Sequence, residues 1–206
     1  MHARTTTVSA APAAIDAGIT HVREEVLPQL MQIPGCVGLS MLVDRESGRC
    51  IVTAAWESED AMRVSAQTVM PLRDRAVELL GGTASVREWE VAVMHRTHPS
   101  TDHSCVRVTW FRSDPANFDP ALDYYKLSVL PRLEQFEGFC SASLLVDRTT
   151  GDAVSSVTFE SLQGVERSRE TAAGVRAAAT QEAGIEITDV AEFELALAHL
   201  HVPEMV

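Results

Sequence analysis

The chain has 206 residues, of which 17 are Lys or Arg and 29 are Asp or Glu, giving a formal net charge of −12. Such an acidic chain repels phosphate backbones and anionic lipid, which argues against a nucleic-acid or membrane-surface partner. Hydrophobic residues make up 46% of the sequence, enough to build a core, so the composition excludes wholesale disorder.

In chain order, a weak strand at residues 4–9 opens a series of elements that is clearest in the second half of the sequence. There the spacing of apolar residues and of Gly and Pro predicts, in order, a strand at 104–112, a helix between Asp119 and Gly138, strands at 139–147 and 153–160, a helix at 162–183 and a strand at 190–201. This β-α-β-β-α-β order is typical of the ferredoxin-like unit.

The two halves of the sequence repeat each other at an offset of 103 residues. Residues 26–60 and 129–163 share 14 identities over 35 ungapped positions, far more than chance gives. We therefore predict a tandem duplication. The first ferredoxin-like repeat is 1–97, a polar, proline-containing linker is 98–103, and the second repeat is 104–206.

The duplication also predicts how the sheets are covered. A ferredoxin-like sheet has helices on one face and leaves the other face bare, so two units can bury their bare faces against each other. The predicted fold is α+β, with two tandem units forming a single-chain, barrel-like structure with pseudo-twofold symmetry. The alternative is two independent domains in series. The barrel needs no second chain, although a homodimer through other surfaces stays open.

The four cysteines, Cys36, Cys50, Cys105 and Cys140, form no CxxC pair and no zinc-knuckle spacing. We interpret them as small hydrophobic residues in a reducing compartment. The first residues include no apolar segment typical of a signal peptide, and no apolar run approaches the ~20 residues of a membrane helix. These features predict a cytoplasmic protein.

Three motifs carry a resemblance to a known family: PGCVG at 34–38, WES at 56–58 and WEV at 89–91. They resemble the strand entry and strand ends of antibiotic-biosynthesis-monooxygenase-like (ABM) domains of the dimeric α/β-barrel superfamily, and the second repeat follows the pattern less closely. Members of that superfamily include cofactor-independent oxygenases of aromatic polyketides, quinol oxygenases and haem-degrading enzymes. The resemblance specifies a fold more than an activity.

Haem degradation of the family type is not expected. The haem-degrading members use a Trp and a haem-ligating His on the second helix, and these positions fall on Ser65 and Asp74 in the first repeat. They fall on Ser168 and Ala177 in the second. We expect no cofactor and no metal, since His95, His98 and His103 lie around a linker that gives no spacing for convergence.

Two histidines are the candidate catalytic residues. His95 and His199 end the last strand of each repeat, in phase with apolar residues, and histidine is easily tuned for proton transfer near neutral pH. Either could equally be a strand-end residue that caps the core or meets solvent. The family's oxygenases also rely on an Asn, whereas the one asparagine of this chain, Asn117, lies in a loop.

Aromatic and arginine side chains are the candidate ligand contacts: Trp56, Trp110, Tyr124, Tyr125, Arg73 and Arg176. Trp110 precedes the helix of Tyr124 and Tyr125 and could form a wall of a sheet–helix cleft, while adjacent helix positions would let only one tyrosine face it. Arg73 and Arg176 occupy matching positions and could hold an anionic ligand. The alternatives are tryptophans in the core and arginines exposed on a helix.

The resulting hypothesis is an ABM-like protein that holds a small apolar or aromatic molecule in a sheet–helix cleft. One alternative is a cofactor-independent monooxygenase of aromatic or quinol-type substrates, with His95 or His199 as proton acceptor. The other is a non-catalytic structural or interaction protein, which filled clefts would favour.

Overall fold

A computed structural model describes residues 1–101 and 103–206, so Asp102 of the predicted linker lies outside the described residues. The chain divides into two compact units. Unit 1 comprises residues 1–90 and 195–202, and unit 2 comprises residues 91–194 and 203–206. No helix in the described part of the chain is both long enough and apolar enough to span a bilayer.

Unit 1 contains the first four strands and four helices. The strands are β1 (His2–Ser9), β2 (Cys36–Val43), β3 (Arg49–Trp56) and the first half of β4 (Thr83–Arg96). The helices are α1 (Ile15–His21), α2 (Leu27–Leu30), α3 (Glu59–Val64) and α4 (Ala66–Leu80). A π-helical turn at Val22–Val26 joins α1 to α2 without a break.

Unit 2 repeats this order of elements. Its strands are β5 (Cys105–Arg112), β6 (Phe139–Val146), β7 (Asp152–Phe159) and the first half of β8 (Glu186–Leu200). Its helices are α5 (Phe118–Tyr124), α6 (Leu130–Leu133) and α7 (Leu162–Ala183). A π-helical turn at Tyr125–Val129 again joins the first two helices.

Each unit has a fifth strand, which is the end of β8 in unit 1 and the end of β4 in unit 2. In unit 1, β1 pairs with β3 and with the first half of β4, β3 pairs with β2, and the end of β8 lies beside β2. The backbone N–H of His201 donates to Val37 O at 3.2 Å. Gly38 permits this pairing, since a Cβ there would lie 2.0 Å from the carbonyl oxygen of His199.

Unit 2 is built in the same way, with β5 between β7 and the first half of β8, and with the end of β4 beside β6. The hydrogen-bonded order β1-β3-β2-β8-β5-β7-β6-β4 closes on itself as an antiparallel barrel. This topology and the helices confirm the predicted α+β class and the barrel, which has eight strands.

Apolar side chains bury the helix-facing side of each sheet. The unit 1 cluster packs around Trp56, Ile15, Leu30 and Met41, and the unit 2 cluster contains Phe118, Phe136, Phe139 and Phe159. Capping residues mark both ends of α7. Ser161 Oγ accepts a hydrogen bond from the backbone N–H of Gly164 at its start, and Gly184, with a φ of +66°, ends the helix. Helix α7 therefore has the predicted bounds.

Candidate functional site

Each unit holds a cavity between its helices and the helix-facing side of its sheet. The unit 2 cavity has a volume of about 60 Å³ and the unit 1 cavity about 50 Å³. Since a buried water needs roughly 10–15 Å³ of such space, the unit 2 cavity has room for several waters, and because it is partly open to solvent a larger ligand can extend out of it. Its apolar lining includes Phe111, Val129, Leu133, Phe136, Val157, Phe159, Ala172, Val175, Ala179 and Ile185.

A buried arginine lines the unit 2 cavity from β5. Arg107 is 4% exposed, and its Nη2 donates to Glu192 Oε1 at 2.9 Å and to Val165 O at 2.6 Å. Its Nη1 donates to Ser168 Oγ at 2.8 Å and its Nε to Glu192 Oε1 at 3.2 Å. These partners use four of the five N–H donors of Arg107, so the guanidinium is fixed in position.

Unit 1 contains the same arrangement 103 residues earlier. Arg4 is 6% exposed and donates to Glu88 Oε1 at 2.7 Å, to Met62 O at 2.8 Å and to Ser65 Oγ at 3.2 Å. The sequence analysis missed both arginines. The signal was present in the 103-residue offset itself, which pairs Arg4 with Arg107 on the opening strand of each repeat.

Among the described residues, the lining of the unit 2 cavity contains two arginines, Arg107 and Arg176, and no acidic residue. Glu192 pairs with Arg107 and also accepts from Arg169 Nη2 at 2.6 Å. Burial alone would raise the pKa of Glu192, but hydrogen bonds from Arg169 and Arg107, together with their charges, lower it overall. Burial and the charge of Arg107 lower the pKa of Arg176, and Glu192 offsets this in part.

The predicted arginines both line cavities but have different surroundings. Arg73 lines the unit 1 cavity and binds the carboxylate of its neighbour Asp74 through Nε at 3.0 Å and Nη2 at 2.9 Å. Arg176 lines the unit 2 cavity and forms no hydrogen bond or ion pair with any described residue. The residue that follows it is Ala177, so the acidic neighbour is missing.

Both predicted tyrosines line the unit 2 cavity. The hydroxyls of Tyr125 and Ser155 lie 2.8 Å apart in a buried hydrogen bond, and burial raises the pKa of Tyr125 to about 12 despite that bond. Burial and the charge of Glu182 raise the pKa of Tyr124. The expectation that only one tyrosine could face the cavity is wrong, because the helix widens into a π-helical turn at Tyr125.

The tryptophans lie elsewhere. Trp110 does not line the unit 2 cavity, because Arg107, Thr109 and Phe111 are the residues of β5 that do, and successive side chains of a strand alternate between faces. Trp110 instead makes an edge contact with Phe193 at a ring distance of 6.3 Å. Trp56 is fully buried in the unit 1 core and does not line that unit's cavity.

The predicted catalytic histidines line neither cavity. In unit 2, His95 Nε2 lies 2.6 Å from Glu134 Oε1, and its Nδ1 pairs with the carboxylate of Glu204. In unit 1, the Nε2 atoms of His199 and His201 lie 3.3 Å apart. Their catalytic role stays a prediction, and the structure brings neither of them to the tyrosines.

The cysteines are free thiols, and burial raises the pKa of Cys50 to about 11. A thiol with a raised pKa is a poor nucleophile, which fits the interpretation of a packing role.

Within residues 1–101 and 103–206, no three His, Cys, Asp or Glu side chains are grouped so that they could hold a metal ion. The polar side chains that line the unit 2 cavity are those of Arg107, Thr109, Tyr124, Tyr125, Ser155 and Arg176.

Comparison with solved structures identifies the class of fold. A candidate monooxygenase from Fusobacterium nucleatum matches 94% of this chain and 90% of its own at 14% identity, with a TM-score of 0.68. An anthrone oxidase-like protein matches 93% and 89% at 16% identity, with a TM-score of 0.65. A ferredoxin-fold protein from Listeria monocytogenes, related to antibiotic biosynthesis monooxygenases, matches 95% and 94% at 10% identity, with a TM-score of 0.53.

These similarities and the barrel topology show that the chain has the ABM-like fold, as the motifs indicate. No family model matches the sequence. Two Mycobacterium tuberculosis proteins match all of it, the uncharacterized protein Rv2557 at 53% identity and the uncharacterized protein Rv2558 at 51%, over 92% and 88% of their own lengths. The chain belongs to the family of these mycobacterial proteins.

Proposed function

We propose that this protein binds a small, largely apolar molecule, of the size of one aromatic ring, in the unit 2 cavity. The observation that carries the proposal is a cavity of about 60 Å³ whose apolar walls are interrupted by the Tyr125–Ser155 pair and by two arginines. An apolar pocket with a few converging polar groups is the usual form of a small-molecule site. The free thiols support a reducing compartment, the cytoplasm.

The unit 1 cavity supports this choice by contrast. At the positions of Tyr125 and Ser155 it has Val22 and Val52, and Arg73, the counterpart of Arg176, is paired with Asp74. It therefore offers an apolar space with no buried hydroxyl at these positions to orient a ligand. The polar groups that give specificity are in unit 2.

The proposal is tested by filling the cavity. Ala179 is buried on α7 and lines the unit 2 cavity, so an isobutyl group added by Ala179→Leu occupies the proposed site. The probe is 3-phenylpropanamide, an uncharged single-ring compound, titrated by ligand-observed and amide chemical-shift NMR. Wild type should bind it in the millimolar range, as expected for a ligand of about eleven heavy atoms, and Ala179→Leu should weaken binding about tenfold or more.

The matched control is Ala76→Leu, which makes the same change at the equivalent position of the unit 1 cavity. It should bind the probe as wild type does, and thermal melting should show that both variants are folded. Binding that survives Ala179→Leu unchanged, or that Ala76→Leu abolishes, would place the ligand elsewhere and contradict the proposal.

The monooxygenase alternative draws support from the similar solved structures, two of which are described as monooxygenase or oxidase-like proteins. In this chain the histidines predicted as proton acceptors line neither cavity, and Asn117 ends a 3₁₀ turn outside both linings. The unit 2 cavity does offer Tyr125 as a protonated donor, which could stabilise a phenolate. Oxygen consumption in the presence of hydroquinone, a one-ring quinol, lost in Tyr125→Phe, would favour this alternative.

A further inference from the structure

The unpaired state of Arg176 points to the charge of the ligand. Arg176 is half-buried on α7, lines the unit 2 cavity and has no hydrogen-bonding or ion-pairing partner among the described residues. Its counterpart Arg73 is held by Asp74. The guanidinium of Arg176 is therefore free to pair with a group that enters the cavity, and that of Arg73 is not.

The charges around Arg176 favour an anion as that group. Arg107 and Arg169 share the carboxylate of Glu192, and Arg176 is a third cation near it. The described residues that line the cavity include Arg107 and Arg176 but no Asp or Glu, so the lining itself is positively charged. An anionic ligand would neutralise that charge in a place where burial weakens screening by water. An Asp or Glu at position 177, which could do so from within the chain, is absent.

The apolar part of the lining indicates what the uncharged part of the ligand is. Phe136, Val175 and Ala179 are apolar and leave room for one ring or a short chain. A planar carboxylate matches the guanidinium fork and is compact enough for a small cavity. On the basis of the proposed function, we propose that the unit 2 cavity selects a small amphipathic carboxylate. The carboxylate group binds Arg176, and the ring or chain packs against the apolar wall.

The test compares two probes of nearly identical shape, 3-phenylpropanoate and 3-phenylpropanamide, at constant ionic strength and pH 7.5. Wild type should bind the carboxylate about tenfold more tightly than the amide, as expected for one charge-assisted pair at a half-buried site. Arg176→Gln should remove that preference, because the carboxylate loses its charged partner and then binds no more tightly than the amide. Arg176→Lys should keep part of it, since the charge remains and the bidentate geometry is lost.

The matched control is Arg167→Gln, which removes one positive charge from an exposed site on the same helix, where Arg167 pairs with Glu137. It should leave both affinities as in wild type. Because Arg176 forms no hydrogen bond or ion pair with a described residue, Arg176→Gln should melt at the wild-type temperature. Arg176→Met provides a second neutral variant if the first unfolds.

The outcomes separate this inference from the proposed function. If wild type binds the amide as tightly as the carboxylate, or if the preference for the carboxylate survives Arg176→Gln, the inference is wrong and the proposed function stands. If Arg167→Gln removes the preference as fully as Arg176→Gln does, it reflects overall charge and the inference is also wrong. If neither probe binds, both are wrong.

Discussion

The pair of Arg107 and Glu192 places a cation that is 4% exposed against a carboxylate that is 24% exposed. Replacing Glu192 by Gln leaves Arg107 buried with a weaker acceptor, and we expect the free energy of unfolding at pH 7 to fall by about 2 kcal/mol. The measurement is urea denaturation followed by circular dichroism. The matched variant is Glu88→Gln in unit 1, where the carboxylate is 53% exposed and water screens the charge, so its cost should be smaller.

The same pair predicts how stability depends on pH. The pKa of Glu192 is lower in the folded protein than its usual value, so the unfolded chain takes up this proton first as pH falls. The stabilisation is present above the usual Glu range, about 4.3, and is lost as pH falls through the lower folded value. The difference in unfolding free energy between wild type and Glu192→Gln should thus shrink below about pH 4. A difference that grows in acid would contradict this assignment.

The hydroxyls of Tyr125 and Ser155 form a buried pair, and unit 1 has two valines at the matching positions. Tyr125→Phe leaves the Ser155 hydroxyl buried without this partner and should lower the unfolding free energy by about 1–2 kcal/mol. The double variant Tyr125→Phe/Ser155→Val removes both polar groups and should recover most of that loss. Strict additivity of the two single changes in a double-mutant cycle would show that the pair has no energetic coupling.

At the scale of elements, periodicity and turn residues predicted most of the fold. The bounds of α7 were predicted in full, and the predicted hairpin strands match β6 and β7 to within one residue. Strand β8 begins at Glu186, four residues before the prediction, because polar residues at its start pair with β5 and carry no apolar signal.

The features that the sequence analysis missed have physical reasons as well. The π-helical turns precede Pro28 and Pro131, which have no N–H for an i−4 bond, and Leu130 N–H bonds instead to Tyr125 O, five residues back. Trp110 was expected at the cavity, but it lies with Val106 and Val108 on the more apolar face of β5. The face that lines the cavity carries Arg107, Thr109 and Phe111. Alternation alone does not tell which side the helices cover. The buried arginines were missed because their partners come from distant elements.

For the whole molecule, the strand that unit 1 takes from the far end of the chain decides whether the first half can fold alone. The segment 195–202 lies beside β2 and brings Ala196 and Leu197 to the unit 1 core. A fragment of residues 1–97 lacks this strand, so β2 becomes an open edge and the core loses part of its cover. We expect the fragment to associate or to melt without a sharp transition.

The measurement is sedimentation velocity together with thermal melting of the 1–97 fragment. The paired variant carries residues 195–202 behind a flexible linker after residue 97. Restoring the fifth strand should move the fragment toward a monomer with a sharper melt, because the linker keeps the strand at high effective concentration near β2. If residues 1–97 alone form a monomer that melts as sharply as the extended fragment, the strand from β8 is dispensable for unit 1. The close approach of His199 O to Gly38 would then reflect tolerance of a neighbour, rather than a pairing on which the stability of the sheet depends.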